Sequence, residues 1–515
     1  MQLWNNPSRG NAITALGVVV WLGLSLACTP KTRRTPDDTL VIAIEAAMTA
    51  PDPRYAVSNW DSKLSKLVFP GLTAVDTPSQ EPRMELATKA TLTGPLTWDV
   101  ELRPDARFSD GSPVTAADVS YTYESMLAPD SDSLWHKGFV ERFSRVEVLG
   151  PRLVRFHLKE PLATFLTDID IGIVSKASAL GAGPYVLDEL TTLHAVLGTN
   201  PHFYGAKPKL PHVEIKFVRD ASARLLMIVG GSVDLIQNGV RLDLLDDVRE
   251  RPRVRLQSGA SVILSYLMMN NADPLLRDPR VRQAIALAID RPAIVAAKFG
   301  GRAVLATGLL PPGHWAYAED VAHWNRDLPR ATALLDAAGL KDPDGPGPLP
   351  RAKLVYKTSS DAFRVSVARV IAAQLADIGL DVEVRSFEFA TFFADVKKGT
   401  YQMASMQTSE ITEPDFYFMY FNSSRIPSKD NPDGGNRWRY VNAEVDRLTA
   451  AGRHELDKDK RRGIYGEVQR LVAADVPIVP LWHEDNVVLS NVDVQGYALS
   501  PNARLGGLPN ASKLP

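Results

Sequence analysis

Residues 97–123 read TWDVELRPDARFSDGSPVTAADVSYTY. Thr97–Leu102 (TWDVEL) has the composition and alternation of a half-buried strand. Asp110-Gly111-Ser112-Pro113 reads as a turn, in which glycine supplies a permissive backbone and proline a fixed φ. Thr115 then stands as an N-cap, with Asp118 three residues on, opening a helix over Ala116–Leu127. Asp118 also places negative charge where the first-turn N–H groups converge. Strand, turn and capped helix follow one another here, and the rest of the chain repeats that alternation.

Short β patterns recur at 39–45 (TLVIAIE), Leu153–Leu158 (LVRFHL), 213–218 (VEIKFV), 353–357 (KLVYK) and 382–385 (VEVR). Helical periodicity lies between them. One face of 281–299 carries Val281, Ile285, Ala288 and Ile289, and one stripe of 367–378 carries Val367, Val370, Ile371, Leu375 and Ile378. Residues 457–474 carry Ile464, Val468, Leu471 and Val472. Such alternation predicts an α/β architecture. Breakers cluster at 341–350 (KDPDGPGPLP) and 428–435 (SKDNPDGG), and each predicts a surface loop.

The amino end reads differently. Residues 12–27 (AITALGVVVWLGLSLA) hold no charge. They are fewer than the ~20 apolar residues a spanning helix needs, and they suit the apolar region of a secretory signal. Cys28, the only cysteine, follows at once in LSLACTP. This resembles a bacterial lipobox, in which the thiol is diacylated and the signal is cleaved before the cysteine. The usual box has leucine three residues earlier and a small residue two earlier; here Ser25 and Leu26 stand there, while Ala27 fits. The expectation is a signal peptide over 1–27 and a polar lipidated tether over 28–38. The mature chain would then work in the periplasm or at the cell surface, held to the membrane by its lipid.

Composition narrows the function. The 515 residues allow about three domain-sized units. With 45% hydrophobic and 23% charged residues, extensive disorder is not expected. Lys+Arg 58 against Asp+Glu 60 leaves −2, so no basic excess points to nucleic acid. A lone cysteine excludes an internal disulfide, a Cys-based zinc site and an iron–sulfur cluster. No G-x-S-x-G, GxxxxGK[ST], H-E-x-x-H or G-x-G-x-x-G is present. The nine histidines are scattered. No catalytic residue, metal site or cofactor is therefore expected.

Leu102, Arg103, Phe108, Asp110, Gly111, Pro113, Thr115, Ala116, Asp118 and Val119 fill a pattern. It resembles the signature of extracellular solute-binding protein family 5, the dipeptide-, oligopeptide- and nickel-binding components of ABC importers. The likeness continues in order through Gly183-Pro184-Tyr185, Asn200–Gly205 (NPHFYG), 266–291 (YLMMNNADPLLRDPRVRQAIALAIDR), 330–339 and 475–481 (DVPIVPL). It runs from about residue 39 to 501.

The resemblance implies a two-lobed periplasmic-binding-protein-like clamp, type II, cluster C, with mixed sheets. Lobe I would take 39–260 plus 482–515, including a family-specific subdomain, and lobe II 261–481. Two chain crossings, near 259–261 and 481–484, would form a hinge that closes on the ligand. In peptide-binding members, main-chain pairing gives affinity without reading sequence, and charged groups hold the peptide ends. Glu410, four residues before Pro414, stands where the family places the carboxylate for the α-ammonium. The family usually has Asp there with Gly-Trp shortly before; this chain has Gln407-Thr408 in that region. For the carboxylate end, Lys357 and Arg364 are the candidates, the family's arginine position being matched by Thr358. Asn270, Trp315 and Thr408 complete the expected lining. The implied function is a monomeric lipoprotein, not an enzyme, that captures a peptide and delivers it to an ABC permease. The alternatives are another solute in the same clamp (nickel chelate, haem, oligosaccharide, opine) or peptide sensing without transport.

Overall fold

The computed structural model describes residues 35–56, 58–345 and 347–514. The expected signal, Cys28 and most of the tether lie outside the described residues.

Two mixed sheets organise the chain. The first has seven strands, in the order Val254–Gly259, Asn486–Asn491, Leu235–Gln237, Thr39–Ile44, His212–Phe217, His194–Thr199 and Tyr185–Leu190. Thr39–Ile44 is central and parallel to both its neighbours. Its unbroken apolar run has a plain cause: Leu40, Ile42 and Ile44 enter one core, while Val41 and Ala43 enter another on the opposite face. The second sheet has six strands: Ala303–Leu305, Ile478–Glu484, Leu264–Met269, Met403–Thr408, Ala352–Ser359 and Leu380–Phe387. Leu264–Met269 is buried along its whole length, with Leu267 and Met269 in one core and Tyr266 and Met268 in the other. Each sheet is the centre of a lobe.

Residues 97–123 contribute to a third unit against the first lobe. Thr97–Leu102 lies in an antiparallel sheet in the order Ala87–Gly94, Thr97–Leu102, Leu153–Leu158, Phe143–Gly150. The helix Ala116–Leu127 packs Val119, Tyr123 and Met126 into its core. The turn is as expected: Gly111 takes φ +84°, and Ser112 N–H donates to Asp110 Oδ1 at 2.9 Å.

One expectation is corrected. The helix expected over 281–299 is two helices, Pro279–Ala288 and Arg291–Phe299. Asp290 caps the second through Ala293 N–H at 3.0 Å, and Pro292 in its first turn has no N–H to continue the first. Near the second crossing, expected around 481–484, the strand of the second sheet runs on to Glu484. His483 still pairs with Leu264 and Glu484 with Ala303, because the strand has a partner on both sides. Asp485 alone separates it from Asn486–Asn491, which belongs to the first sheet. Ser258 Oγ donates to Asp485 Oδ2 at 2.5 Å, tying the two crossings together.

Candidate functional site

Leu264–Met269 and Met403–Thr408 run antiparallel, with Ser265 opposite Gln407 and Leu264 opposite Thr408. Ser265, Gln407 and Glu484 face the first-lobe segment 239–246 across a cavity of about 1160 Å³. Arg364 lines it from the first turn of the helix Ala362–Ala376. Its backbone N–H donates to the N-cap carboxylate of Asp361 at 2.9 Å. Among the described residues, its guanidinium makes one hydrogen bond, to Gln407 Oε1 at 3.2 Å. A guanidinium has five N–H donors, so most of this one faces the cavity unused. Arg302 of the second lobe pairs with Asp246 of the first at 2.8 Å and bridges the cavity wall.

Glu410, just past the end of Met403–Thr408, lines a second inter-lobe cavity of about 230 Å³ with Lys66, Asp170 and Arg504. Lys66 rides on the helix Asn59–Val68. The end of that helix is fixed by close approach: Gly183 N–H donates to Val68 O at 2.9 Å, and a Cβ on Gly183 would stand 2.3 Å from Leu67 O. Asp170 takes Lys66 Nζ and Arg504 Nη1, each at 2.8 Å. Lys63, one turn before Lys66, lies over the Trp60 ring at 4.5 Å. Burial pulls the pKa of both lysines down, and the Glu410 charge opposes it. Burial works against Arg504 too, but Asp170 and Glu410 outweigh it and hold its pKa above the ordinary arginine value. Glu410 therefore sits in the field of three first-lobe cations.

The other expected residues lie elsewhere. Thr408 is half-buried and exchanges hydroxyl contacts with Tyr266 at 3.2 Å and Tyr420 at 3.3 Å. Asn270 is buried, its amide donating to Gly399 O and Tyr401 O at 3.1 and 3.0 Å, so it joins a strand end to a loop rather than lining the cleft. Lys357 is committed to Asp395 at 2.7 Å and Thr400 O at 2.6 Å. Trp315 is buried where the lobes touch; its backbone N–H donates to Ser79 O of the first lobe at 3.2 Å, and Lys458 and Arg461 lie over its ring. Of six expected site residues, the fold brings Arg364 and Glu410 to inter-lobe cavities. Lys63, Lys66 and Arg504 carry no motif and meet only through folding, so no spacing in the sequence marks them.

Beyond Glu410 the lobes touch again. Thr167 Oγ1 of the first lobe donates to Glu413 Oε2 at 3.3 Å, and Arg461 closes on the other Glu413 oxygen. Burial, only partly offset by Arg461, pushes the Glu413 carboxyl up to about 7.

A family model described as "Bacterial extracellular solute-binding proteins, family 5 Middle" matches residues 81–429. A "Probable di/tripeptide-binding protein 5" of Pseudomonas aeruginosa (strain UCBPP-PA14) is 28% identical over 446 residues, 79% of this chain and 82% of the relative. The "Probable D,D-dipeptide-binding periplasmic protein DdpA" of Escherichia coli (strain K12) is 26% identical, covering 90% and 92%. The solved structure of NikZ from Campylobacter jejuni in complex with Ni(L-His) superposes with a TM-score of 0.78 at 26% identity, over 93% of this chain and 100% of that one. The two-lobed clamp is thus shared with a binding protein of known structure.

Proposed function

Because this chain belongs to the bacterial extracellular solute-binding proteins, family 5, we propose that it captures a peptide between its lobes, outside the cytoplasm, and hands it to an ABC import permease. The observation that carries this reading is the inter-lobe cavity of about 1160 Å³ with Arg364 on its wall. That volume exceeds the ~300–1,000 Å³ of ordinary small-molecule sites, which leaves room for an extended ligand. A guanidinium with most of its donors open matches a terminal carboxylate, which it grips with two parallel bonds. Two relatives are named for short peptides, which favours the same class here. The family binds solutes rather than transforming them, and no catalytic role is assigned to any residue.

A second reading keeps the clamp and changes the solute. It is favoured by the first-lobe cations around Glu410, which answer its charge without a ligand ammonium, and by the chelate held in the NikZ complex. Among the described residues no group of three or more His, Cys, Asp or Glu is placed to hold a metal, so a chelate would bring its own donors. Mass spectrometry of the solute released on denaturing the natively purified protein separates the two. A peptide is expected; a chelate, sugar or opine would replace the peptide reading.

We also propose that Cys28 carries a lipid anchor, that the protein acts as a monomer, and that the lobes divide at about residue 260 and again at Asp485. Cys28→Ser should leave the protein soluble or unprocessed. A variant that is cleaved normally and stays on the membrane would remove the anchor.

A further inference from the structure

Beside the smaller inter-lobe cavity, the one of about 230 Å³ that Glu410 lines, lies a chamber of about 350 Å³ walled entirely by first-lobe residues. Its size falls at the lower end of the ~300–1,000 Å³ range of small-molecule sites. The two spaces meet at Lys66, Asp170 and Arg504, which line both. Pro70, Pro184, Phe203 and Leu505 supply apolar wall.

The chamber's charges are unevenly matched. Arg83 is held by Asp76 at 2.7 Å and by Glu85. Lys66 and Arg504 share the single carboxylate of Asp170. Lys63 is left over. It is 5% exposed, and among the described residues no hydrogen bond or ion pair reaches its ammonium; the Trp60 ring lies beneath it. Glu45 and Glu410 act on it through space without coming within ion-pair distance. A lysine ammonium has three donors and no acceptor, and this one stands on the chamber wall without a protein acceptor. Lys63, Lys66 and Arg504 together face two carboxylates, Asp170 and Glu410, so one added negative charge balances the local excess rather than reversing it.

We propose that this chamber is a subsite for an anionic group of the captured solute, a carboxylate such as an acidic side chain, with Lys63 as the donor that selects it. The proposal rests on the captured solute occupying the inter-lobe space as far as the Glu410 cavity. The carboxylate takes the acceptor role that no protein group fills, and the Trp60 face beneath Lys63 limits the directions in which its donors point.

The test offers the purified protein an equimolar mixture of tri-alanine, its three single-Glu variants and its three single-Lys variants, with bound species read by native mass spectrometry. Wild type should enrich at least one Glu-containing peptide about tenfold or more over tri-alanine. Lys63→Arg should keep that enrichment, and in Lys63→Met and Lys63→Gln the ratio of Glu-containing peptide to tri-alanine should fall to about one. No acidic preference in wild type, or an unchanged one in Lys63→Met or Lys63→Gln, overturns the proposal. If no tripeptide binds, the peptide reading fails and thermal unfolding in sodium glutarate, against chloride at matched ionic strength, decides the chamber. A saturable rise in midpoint for wild type and Lys63→Arg, absent from Lys63→Met and Lys63→Gln, upholds the subsite. No rise, or an equal rise in all, removes it.

Discussion

His314 shows how one side chain is fixed by its surroundings. Its Nδ1 accepts from Ala316 N–H at 3.1 Å, so the ring proton sits on Nε2, which donates to Thr412 O at 3.2 Å. A second proton would have to go on Nδ1 and break the Ala316 bond. Burial, with Arg461 adding to it, pushes the pKa down to about 4. The unfolded chain protonates this residue near pH 6.5. A depressed pKa gives stability that is present above ~6.5 and is lost as pH falls toward 4, by up to about 3 kcal/mol. Urea unfolding at a series of pH values should show a shallower acid loss in His314→Gln than in wild type. His483, also pushed down to about 4 by burial, keeps part of the slope in that variant. Parallel curves would mean that the imidazole is not held neutral. Glu410 makes the opposite case: its position in the chain suggested a ligand ammonium, whereas its neighbours are protein cations, and no sequence spacing foretells a neighbour 94 residues away.

At the scale of elements, the Ala116–Leu127 helix start shows why some structure was legible. Asp118 Oδ2 accepts from Thr115 N–H at 3.0 Å and from Thr115 Oγ1 at 2.6 Å, which is the local exchange that a Thr with Asp three residues on announces. The other oxygen, Oδ1, accepts from Lys176 N–H at 2.9 Å, a long-range bond that the local pattern does not contain. Asp118→Ala removes both. The cap alone costs about 1 kcal/mol, and the stranded Lys176 N–H adds about 1–3 kcal/mol more. A denaturation midpoint within error of wild type would show that the carboxylate is dispensable. The helix break at Asp290 was equally local, since Asp-Arg-Pro is a cap followed by a residue without a donor, but the apolar periodicity across it masked the stop.

At the scale of the whole molecule, Glu410 links the lobes. With it in place, Lys63, Lys66 and Arg504 face two carboxylates, Glu410 and Asp170; with glutamine there, they face Asp170 alone. Three buried cations lose an opposing charge only when the lobes come together, so the variant should favour the open clamp. Small-angle scattering of the ligand-free protein is expected to give a larger radius of gyration for Glu410→Gln than for wild type. Coincident curves would mean that Glu410 does not bias closure. Surface bridges such as Arg302–Asp246, whose carboxylate is largely exposed, should matter little by comparison.

Neighbours in the chain decide the strands at Thr97–Leu102 and Leu153–Leu158, the capped helix at Ala116–Leu127, the turn at Gly111, and the ordered motifs that mark the family, and all of these are legible in the residues alone. Backbone preference, capping and period-two burial act over a few residues, so they can be read there. Which charges meet is set by the packing of distant segments. Lys357 was a candidate carboxylate partner until Asp395 and Thr400 enclosed it, and Asn270 a lining residue until two carbonyls took its amide. Lys66, Asp170, Glu410 and Arg504 converge from four distant parts of the chain. Charge acts through space over several ångströms, without regard to separation along the backbone, and only packing the lobes sets those distances.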